Sequence, residues 1–288
     1  MKKGILSLAI LILAGFSACS QTEYNPNDSV RVVNAEWSID SLDGFVLKRY
    51  HFDEGTLFCS AQHFFVIEVP AESPRRLAFI SDTALTGVSV FATQTDALAA
   101  INGSYFDMTL GNPVCYLRID GQQVGENTPG KADSINRKYY QYATLALRKG
   151  RPILTIPDSN RLSEEKMNYR NIMTAGPMLL WKGEEVPQRD DRTFVTKRHN
   201  RTALGRRPDG SYILFVADGR FKEHAEGLTL FELQRVMRWL GCSSAINLDG
   251  GGSSTMYIKD SGVINYPSDN GEHDHEGERP VSNAILVL

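Results

Sequence analysis

Short apolar runs bounded by turn-forming residues recur along the chain. β-branched and aromatic residues fill these runs, and Gly, Pro, Asp or Asn stands at or near their ends, at residues 63–70, 77–81, 88–93, 142–150, 211–219 and 282–288. Runs of this length and composition are typical of buried β-strands. We therefore predict a strand in each run.

Helical periodicity is clearest in residues 229–242, where apolar side chains recur at helical spacing: Leu230, Leu233, Val236, Met237 and Leu240. Thr229 can cap the start of this helix, and Gly241 can end it. A second, shorter helix is predicted in residues 95–103. Because the sequence contains no Pro- or Ser-rich linker and no internal repeat, the pattern favours a single α+β domain with a mixed β-sheet core and a few helices.

The first nineteen residues have the pattern of a bacterial lipoprotein signal. A basic start precedes the apolar run 5–16, which is shorter than the roughly 20 residues that span a bilayer, and small residues precede Cys19. This pattern predicts a signal peptide over residues 1–19, a lipid anchor on Cys19, a polar tether over 20–28 and a folded domain over 29–288, held at the cell envelope outside the cytoplasm. A plain secretory signal is the alternative.

Charge and cysteine content narrow the function. The chain has 31 Lys and Arg against 34 Asp and Glu, a formal net charge of -3, which excludes the positive excess expected of a nucleic-acid-binding protein. Beyond Cys19 there are three cysteines, Cys59, Cys115 and Cys242, so at most one internal disulfide can form, and no CxxC spacing suggests zinc. We expect Cys115 and Cys242 to be buried thiols.

Five segments share one arrangement, in which an apolar run ends and small or polar residues follow: AAINGSYFD, MTAGPMLL, NRTALG, FVADGR and INLDGGGSSTM. The glycines of the last segment are costly in conformational entropy unless the chain needs positive φ or a close approach to its backbone. Successive N–H groups there can form a nest that binds an anion, through Gly250, Gly251, Gly252 and Ser253. A turn after a strand is the alternative interpretation.

The order of these segments, closed by RPVSNAILVL, resembles the phosphodiester glycosidase family over roughly residues 95–288. NLDGGGSST and NGSYFD are the specific parts of this resemblance. It implies a hydrolase that cleaves the glycosidic bond of a sugar-1-phosphate diester, with a substrate like N-acetylglucosamine-1-phosphodiester and without a cofactor. The alternative is a non-catalytic lipoprotein that binds phosphorylated glycans.

Candidate site residues lie at the ends of predicted strands. A positioned carboxyl group can activate water or stabilise an oxocarbenium-like charge, and three aspartates qualify: Asp107, Asp218 and Asp249. Asp249 is the first choice because it adjoins the glycine run. Arg201 offers a planar fork for two phosphate oxygens, and Thr202 offers a further hydrogen bond. Other substrate contacts are predicted at Asn102, Gly103, Asn247, Arg220 and Arg279.

The segment 273–279 combines histidines with acidic residues and so suggests a metal site. Alternate residues of an extended loop point to opposite sides, however, and the charged, Gly-rich composition favours a solvated loop, so we predict no metal. Three aromatic residues, Tyr105, Phe106 and Trp181, can stack on a sugar face, with burial in the core as the alternative.

Overall fold

A computed structural model describes residues 25–129, 135–188 and 193–288. The helices in these ranges are α1 (Pro26–Val33), α2 (Val88–Gln94), α3 (Thr193–Thr196) and α4 (Leu230–Trp239). The strands are β1 (Ser38–Leu42), β2 (Phe45–Leu57), β3 (Ser60–Val69), β4 (Leu77–Thr86), β5 (Ala99–Asn102), β6 (Leu117–Ile119), β7 (Gln122–Gly125), β8 (Ala143–Arg148), β9 (Arg151–Thr155), β10 (Asn171–Ala175), β11 (Met178–Trp181), β12 (Glu184–Glu185), β13 (Arg201–Arg206), β14 (Tyr212–Ala217), β15 (Ser244–Asn247), β16 (Met256–Ile258), β17 (Gly262–Val263) and β18 (Val281–Val287).

The strands form three sheets. The large sheet has the order β1-β2-β3-β14-β13-β15-β11-β12, and the two smaller sheets have the orders β7-β6-β10-β8-β9 and β17-β16-β5-β18-β4. Within the described ranges, neighbouring strands run antiparallel. The α+β class predicted from the sequence, a sheet core with a few helices, is confirmed.

One buried hydrophobic cluster contains side chains from all three sheets, among them Leu214, Leu145 and Ile101. The other face of the large sheet packs against α4 through residues such as Leu233 and Met237. Full burial of a side chain of this size stabilises the fold by about 1.5–3 kcal/mol. The strands are therefore held on a rigid base, and their ends can present polar groups in fixed positions.

Helix α4 begins and ends where the sequence predicts. The Thr229 hydroxyl accepts a hydrogen bond from the Glu232 N–H at 3.1 Å, and the Glu232 carboxylate accepts one from the Thr229 N–H at 2.8 Å. This reciprocal pair satisfies N–H groups that the first turn leaves without helical partners. The helix closes at Leu240, and Gly241 follows with a φ of 85°, the left-handed conformation that glycine tolerates best.

Two neighbouring segments have the opposite structure to the one predicted. Residues 88–93, predicted as a strand, lie in helix α2, whereas residues 95–103, predicted as a helix, contain strand β5. The Ser89 N–H donates to the Glu278 carboxylate at 2.8 Å, so a residue far along the chain satisfies the start of α2. β5 lies between β16 and β18 in its sheet. Distant partners thus override the local preferences of both segments.

The folded domain includes the end of the predicted tether. Helix α1 begins at Pro26, and the Asn25 side chain caps it by accepting from the Asn27 N–H at 3.0 Å. Asp28, the last tether residue, is buried and pairs with Arg31 at 2.7 Å. The predicted signal peptide and Cys19 lie outside the described residues. Among those described, no helix has the length and apolar character needed to cross a membrane.

Cys115 and Cys242 are free, buried thiols, as the sequence predicts. Burial raises the pKa of both, which keeps them protonated at neutral pH. They therefore serve as small packing side chains and not as nucleophiles.

Candidate active site

Three neighbouring strands of the large sheet, β14, β13 and β15, bring several of the sequence motifs together at one end of the strands. β13 begins at Arg201, opposite Ala217 at the end of β14, and β15 ends at Asn247, opposite Ala203. β5 reaches the same place, because the Asn102 amide donates to the Asp249 carbonyl at 2.7 Å. A cavity of about 220 Å³ opens here, lined by Tyr105, Phe194, His199, Arg201, Arg220, Asp249, Gly250 and Gly251.

Asp249 supplies the carboxyl group that lines this cavity. Burial raises its pKa from the ordinary 3.8 to about 6, opposed by the nearby Ser253 hydroxyl, the Gly250 N–H and the charge of Arg279. The Gly250 N–H donates to Asp249 Oδ1 at 2.9 Å, whereas the Ser253 hydroxyl is buried without a hydrogen bond of ordinary geometry. A carboxyl whose pKa lies this close to neutrality can exchange a proton during a reaction.

Asn102 and Asn247 use their polar groups within the protein. Their exposed fractions are 0% and 1%. Asn102 Oδ1 accepts from the Thr202 hydroxyl at 2.8 Å, and the Asn247 amide donates to the Leu248 carbonyl at 2.8 Å. These two amides and Thr202, itself fully buried, are packed inside the protein and do not line the cavity. Their predicted contact with substrate stays a prediction.

Gly103 also has a packing role. A Cβ at this position would collide with the Asn283 side chain and lie 3.0 Å from the Met173 methyl group. The Gly103 carbonyl accepts from the Asp249 N–H at 3.1 Å. The glycine thus permits close packing directly behind the carboxyl residue, and it does not line the cavity.

The N–H nest predicted for the glycine run is wrong for most of its members. The Gly250 N–H donates to Asp249, the Gly251 N–H to the Asn200 carbonyl at 2.9 Å, and the Ser253 N–H to the Gly250 carbonyl at 3.3 Å. These donors are already satisfied within the protein, so they are not free for a phosphate.

The glycines are needed for close approach instead. Gly251 has a φ of 62°, and a Cβ there would lie 2.6 Å from Arg220 Nη2. A Cβ at Gly252 would overlap the Arg279 guanidinium. Bare backbone therefore lets two cations lie directly against the run, beside Asp249.

Arg201 lines the cavity but is almost fully buried, with an exposed fraction of 2%. Its Nε donates to the Leu228 carbonyl at 2.8 Å, and its Nη2 donates to the carbonyls of Phe194 at 2.8 Å and Lys197 at 3.1 Å. Its fork is thus not free for two phosphate oxygens, contrary to the prediction. Nη1 has no hydrogen-bond partner in the described ranges. Burial lowers the pKa of Arg201 to about 10, which leaves it charged at neutral pH.

Arg220 and Arg279 supply the more accessible positive charge. Arg220 is exposed, contacts the Ser268 hydroxyl at 3.5 Å, and has a pKa lowered by burial and by the charge of Arg279. Arg279 Nε donates to Asp269 Oδ1 at 2.7 Å. The two guanidiniums therefore lie close enough for the charge of Arg279 to affect Arg220, and Asp269 pairs with Arg279.

The sequence analysis missed two cavity residues, Phe194 and the titratable His199. Burial and the charges of Arg201, Arg220 and Lys197 lower its pKa to about 4, so the imidazole is neutral at physiological pH. Its position directly before the NRTALG motif was the available signal. A neutral imidazole in such a place can accept a proton or a hydrogen bond.

The structure does not bring the other two aspartates into the cavity. Asp218 is fully buried, and its Oδ1 accepts from the Asn265 amide and the Tyr266 N–H, each at 3.0 Å. Asp107 Oδ1 accepts from the N–H groups of Thr109 at 2.8 Å and Leu110 at 2.9 Å, and these bonds lower its pKa. Neither carboxyl lines the cavity of Asp249, and a catalytic role for Asp107 or Asp218 stays a prediction.

The predicted aromatic residues also divide between the cavity and other parts of the fold. Tyr105 lines the cavity, whereas Phe106 and Trp181 pack against hydrophobic clusters elsewhere. His273 stacks on Tyr266 with ring centroids 4.1 Å apart. No group of three or more His, Cys, Asp or Glu in the described part of the chain has the geometry to hold a metal ion.

Two features point to the family of this protein. One is the antiparallel three-sheet domain, and the other is a glycine-rich strand end that carries one carboxyl and several guanidiniums. The chain belongs to the phosphodiester glycosidase family, whose model matches residues 95–288. It is 42% identical over 95 residues to the N-acetylglucosamine-1-phosphodiester alpha-N-acetylglucosaminidase of Mus musculus, and 38% identical over 95 residues to that of Homo sapiens. The matched segment spans 33% of this chain and 18% of either relative.

Solved structures share the fold. The catalytic domain of the zebrafish enzyme of the same name, auto-inhibited by its pro-peptide, superposes with a TM-score of 0.67 and 21% identity, over 88% of this chain and 87% of that chain. A hypothetical protein from Synechocystis superposes with a TM-score of 0.60 and 14% identity, over 87% of this chain and 63% of that chain. The shared architecture thus includes residues ahead of 95.

Proposed function

We propose that this protein is a hydrolase that cleaves the glycosidic bond of a sugar-1-phosphate diester, with a substrate like N-acetylglucosamine-1-phosphodiester, at the cell envelope. The observation that carries the proposal is Asp249, a half-buried carboxyl with a pKa raised to about 6, in a cavity that the cations Arg201 and Arg220 also line. Family membership supports the reaction class.

The cations fit the phosphate of such a substrate. Arg220 and Arg279 lie against the glycine run. Arg201 lines the wall, and its Nη1 has no hydrogen-bond partner among the residues that the structure describes. A diester phosphate carries one negative charge, and guanidinium groups hold it in a defined orientation through paired hydrogen bonds. This places the anomeric carbon of the sugar near Asp249 in the proposed complex.

Asp249 then performs the chemistry on the sugar side. In its ionised form it stabilises the positive charge that develops on the ring, or it takes a proton from attacking water. The phosphate leaves as a weakly basic group, held by the arginines, so one carboxyl is sufficient. His199, kept neutral by its neighbours, can accept a hydrogen bond from the water or a sugar hydroxyl.

A lipoprotein that only binds phosphorylated glycans is the second candidate. The arginines serve a binder equally well. Asp249 does not, because a carboxylate beside the phosphate repels it. The presence of that carboxyl in the cavity therefore favours hydrolysis.

The test uses methyl and mannosyl diesters of N-acetylglucosamine 1-phosphate, with released N-acetylglucosamine as the assay and calorimetry for binding. We expect turnover by the wild type and a loss of about 10²-fold or more in Asp249→Asn, the usual scale for a positioned acid or base, with binding retained. Asp107→Asn, outside the cavity, is the matched control and should keep wild-type rates. Binding without sugar release by the wild type would support the binding lipoprotein instead.

Localisation has its own test. The signal pattern of residues 1–19 supports a lipid anchor on Cys19. In cell fractions, the wild type should sediment with membranes, and Cys19→Ala should be released from them. An unchanged distribution of Cys19→Ala would contradict the anchor.

A further inference from the structure

All four backbone polar groups of Leu248 and Asp249 are held by other groups of the protein. The Leu248 N–H donates to the Thr202 carbonyl at 2.8 Å, and the Asp249 N–H donates to the Gly103 carbonyl at 3.1 Å. The Asp249 carbonyl accepts from the Asn102 amide at 2.7 Å. The Leu248 carbonyl lies 3.0 Å from the Tyr105 hydroxyl and 2.8 Å from the Asn247 amide. The carboxyl residue is thus fixed through its own peptide groups.

The Tyr105 hydroxyl is the centre of one half of this arrangement. The Asn247 amide donates to it at 2.6 Å, so its own hydrogen is left for the carbonyl of Gly176 at 2.9 Å or of Leu248 at 3.0 Å. Burial, and then the charge of Asp249, raise the pKa of Tyr105 well above its usual value, so the hydroxyl remains a donor. Its ring packs against Tyr140, with centroids 4.8 Å apart.

Asn102 is the centre of the other half. Its amide nitrogen holds the Asp249 carbonyl, and its oxygen accepts from the Thr202 hydroxyl at 2.8 Å and the Thr255 N–H at 3.3 Å. One fully buried side chain therefore ties β5, β13 and the segment after the glycine run to the peptide of Asp249.

We propose that Tyr105 and Asn102 are positioning residues that fix the location of the Asp249 carboxyl beside the cavity. Neither touches the reacting atoms through its polar group, because those groups are hydrogen-bonded within the protein. The consequence for catalysis rests on the proposed function, whereas the consequence for the pKa of Asp249 does not. Both residues come from the NGSYFD motif, so the polar groups of this motif that reach Leu248 and Asp249 serve to hold the aspartate.

The test compares Tyr105→Phe and Asn102→Ser with the wild-type protein. Tyr116→Phe is the matched control, because the Tyr116 hydroxyl is also buried but has no hydrogen bond of ordinary geometry within the described residues. We measure kcat and KM for diester hydrolysis, and we titrate the Asp249 carboxyl by ¹³C NMR without substrate, assigned with Asp249→Asn. In both test variants, kcat should fall by about tenfold, the equivalent of about 1.4 kcal/mol, with KM nearly unchanged.

The pKa of Asp249 should also fall from about 6 towards its ordinary value as the segment loosens and water reaches the carboxyl. Tyr116→Phe should match the wild type in both measurements. A wild type that hydrolyses no diester, with the pKa change still present, would sink the proposed function and leave the positioning role intact. Wild-type kcat and wild-type pKa in folded Tyr105→Phe or Asn102→Ser would overturn the positioning role.

Discussion

Replacing Asp249 by asparagine is expected to stabilise the fold at neutral pH while it removes activity. The carboxyl has a pKa of about 6 in the folded protein against an ordinary 3.8, because burial disfavours its charge. Below pH 3.8 it is protonated in both states and costs nothing. Between pH 3.8 and about 6, the unfolded chain ionises this carboxyl while the folded protein keeps it protonated. The free energy of unfolding therefore falls as pH rises through this window, and the loss is complete above the folded pKa.

The magnitude follows from the two pKa values. At 1.36 kcal/mol per pKa unit, the rise from 3.8 to about 6 amounts to about 3 kcal/mol at pH 7. The side chain introduced by Asp249→Asn would carry no charge, and it would keep an oxygen for the Gly250 N–H, which now donates to Asp249 Oδ1 at 2.9 Å. The variant should therefore gain most of this free energy of unfolding at pH 7.5 and little of it at pH 4.

Urea unfolding of wild type and Asp249→Asn at pH 4, 6 and 7.5 measures this difference. Asp107→Asn is the control of opposite sign. Backbone N–H groups lower the pKa of Asp107, so its contribution to stability is present above its unfolded pKa and is lost as pH falls. The reasoning is refuted if the advantage of Asp249→Asn is the same at every pH, or if the variant is the less stable protein at pH 7.5.

Three further predictions follow from the contacts of single residues. Gly251→Ala, at a φ of 62° and with its Cβ 2.6 Å from Arg220 Nη2, should displace that guanidinium and raise KM at least several-fold; an unchanged KM for a diester would contradict this. Arg201→Lys should lower the free energy of unfolding by about 3 kcal/mol, because one ammonium nitrogen cannot reach carbonyls that Arg201 contacts through two separate nitrogens, Nε and Nη2; an unchanged urea midpoint would count against it. Burial lowers the pKa of His273, so the free energy of unfolding should fall as pH drops below 6.5, where the unfolded chain protonates this histidine more readily. His273→Phe should reduce this fall, and equal pH profiles of stability for the variant and the wild type would contradict the explanation.

The strands of the core and helix α4 were predictable because their signals are local. The apolar runs at 211–219 and 282–288 correspond to β14 and β18, both buried over their full length. In α4, spacing and a capping threonine suffice to define the helix. Residues 88–103 failed because the partners that decide their structure, Glu278 and the flanking strands β16 and β18, lie more than a hundred residues away.

The location of the site was predictable from the sequence, but the roles of its individual residues were not. Sequence reasoning identified which segments meet, since polar residues at strand ends gather on one edge. It could not show which way each side chain faces. Asn102 and Asp249 both follow the same apolar pattern, yet one is sealed inside and the other lines the cavity. Asp218 and Asp249 differ only in the strand end they occupy, and Asp218 faces Asn265 instead of the cavity.

Keeping Asp249 at this position lowers the stability of the fold at neutral pH, and packing alone does not explain its presence there. A neutral side chain would satisfy the Gly250 N–H equally well and would spare the fold the ionisation of a half-buried carboxyl. The same segment also requires a glycine at positive φ and a buried amide that holds its backbone. Unfavourable charge and a conformationally costly glycine, concentrated at one strand end, are characteristic of functional sites. In the proposed function, the arginines against Gly251 and Gly252 hold an anion where the carboxyl can act on the carbon attached to it.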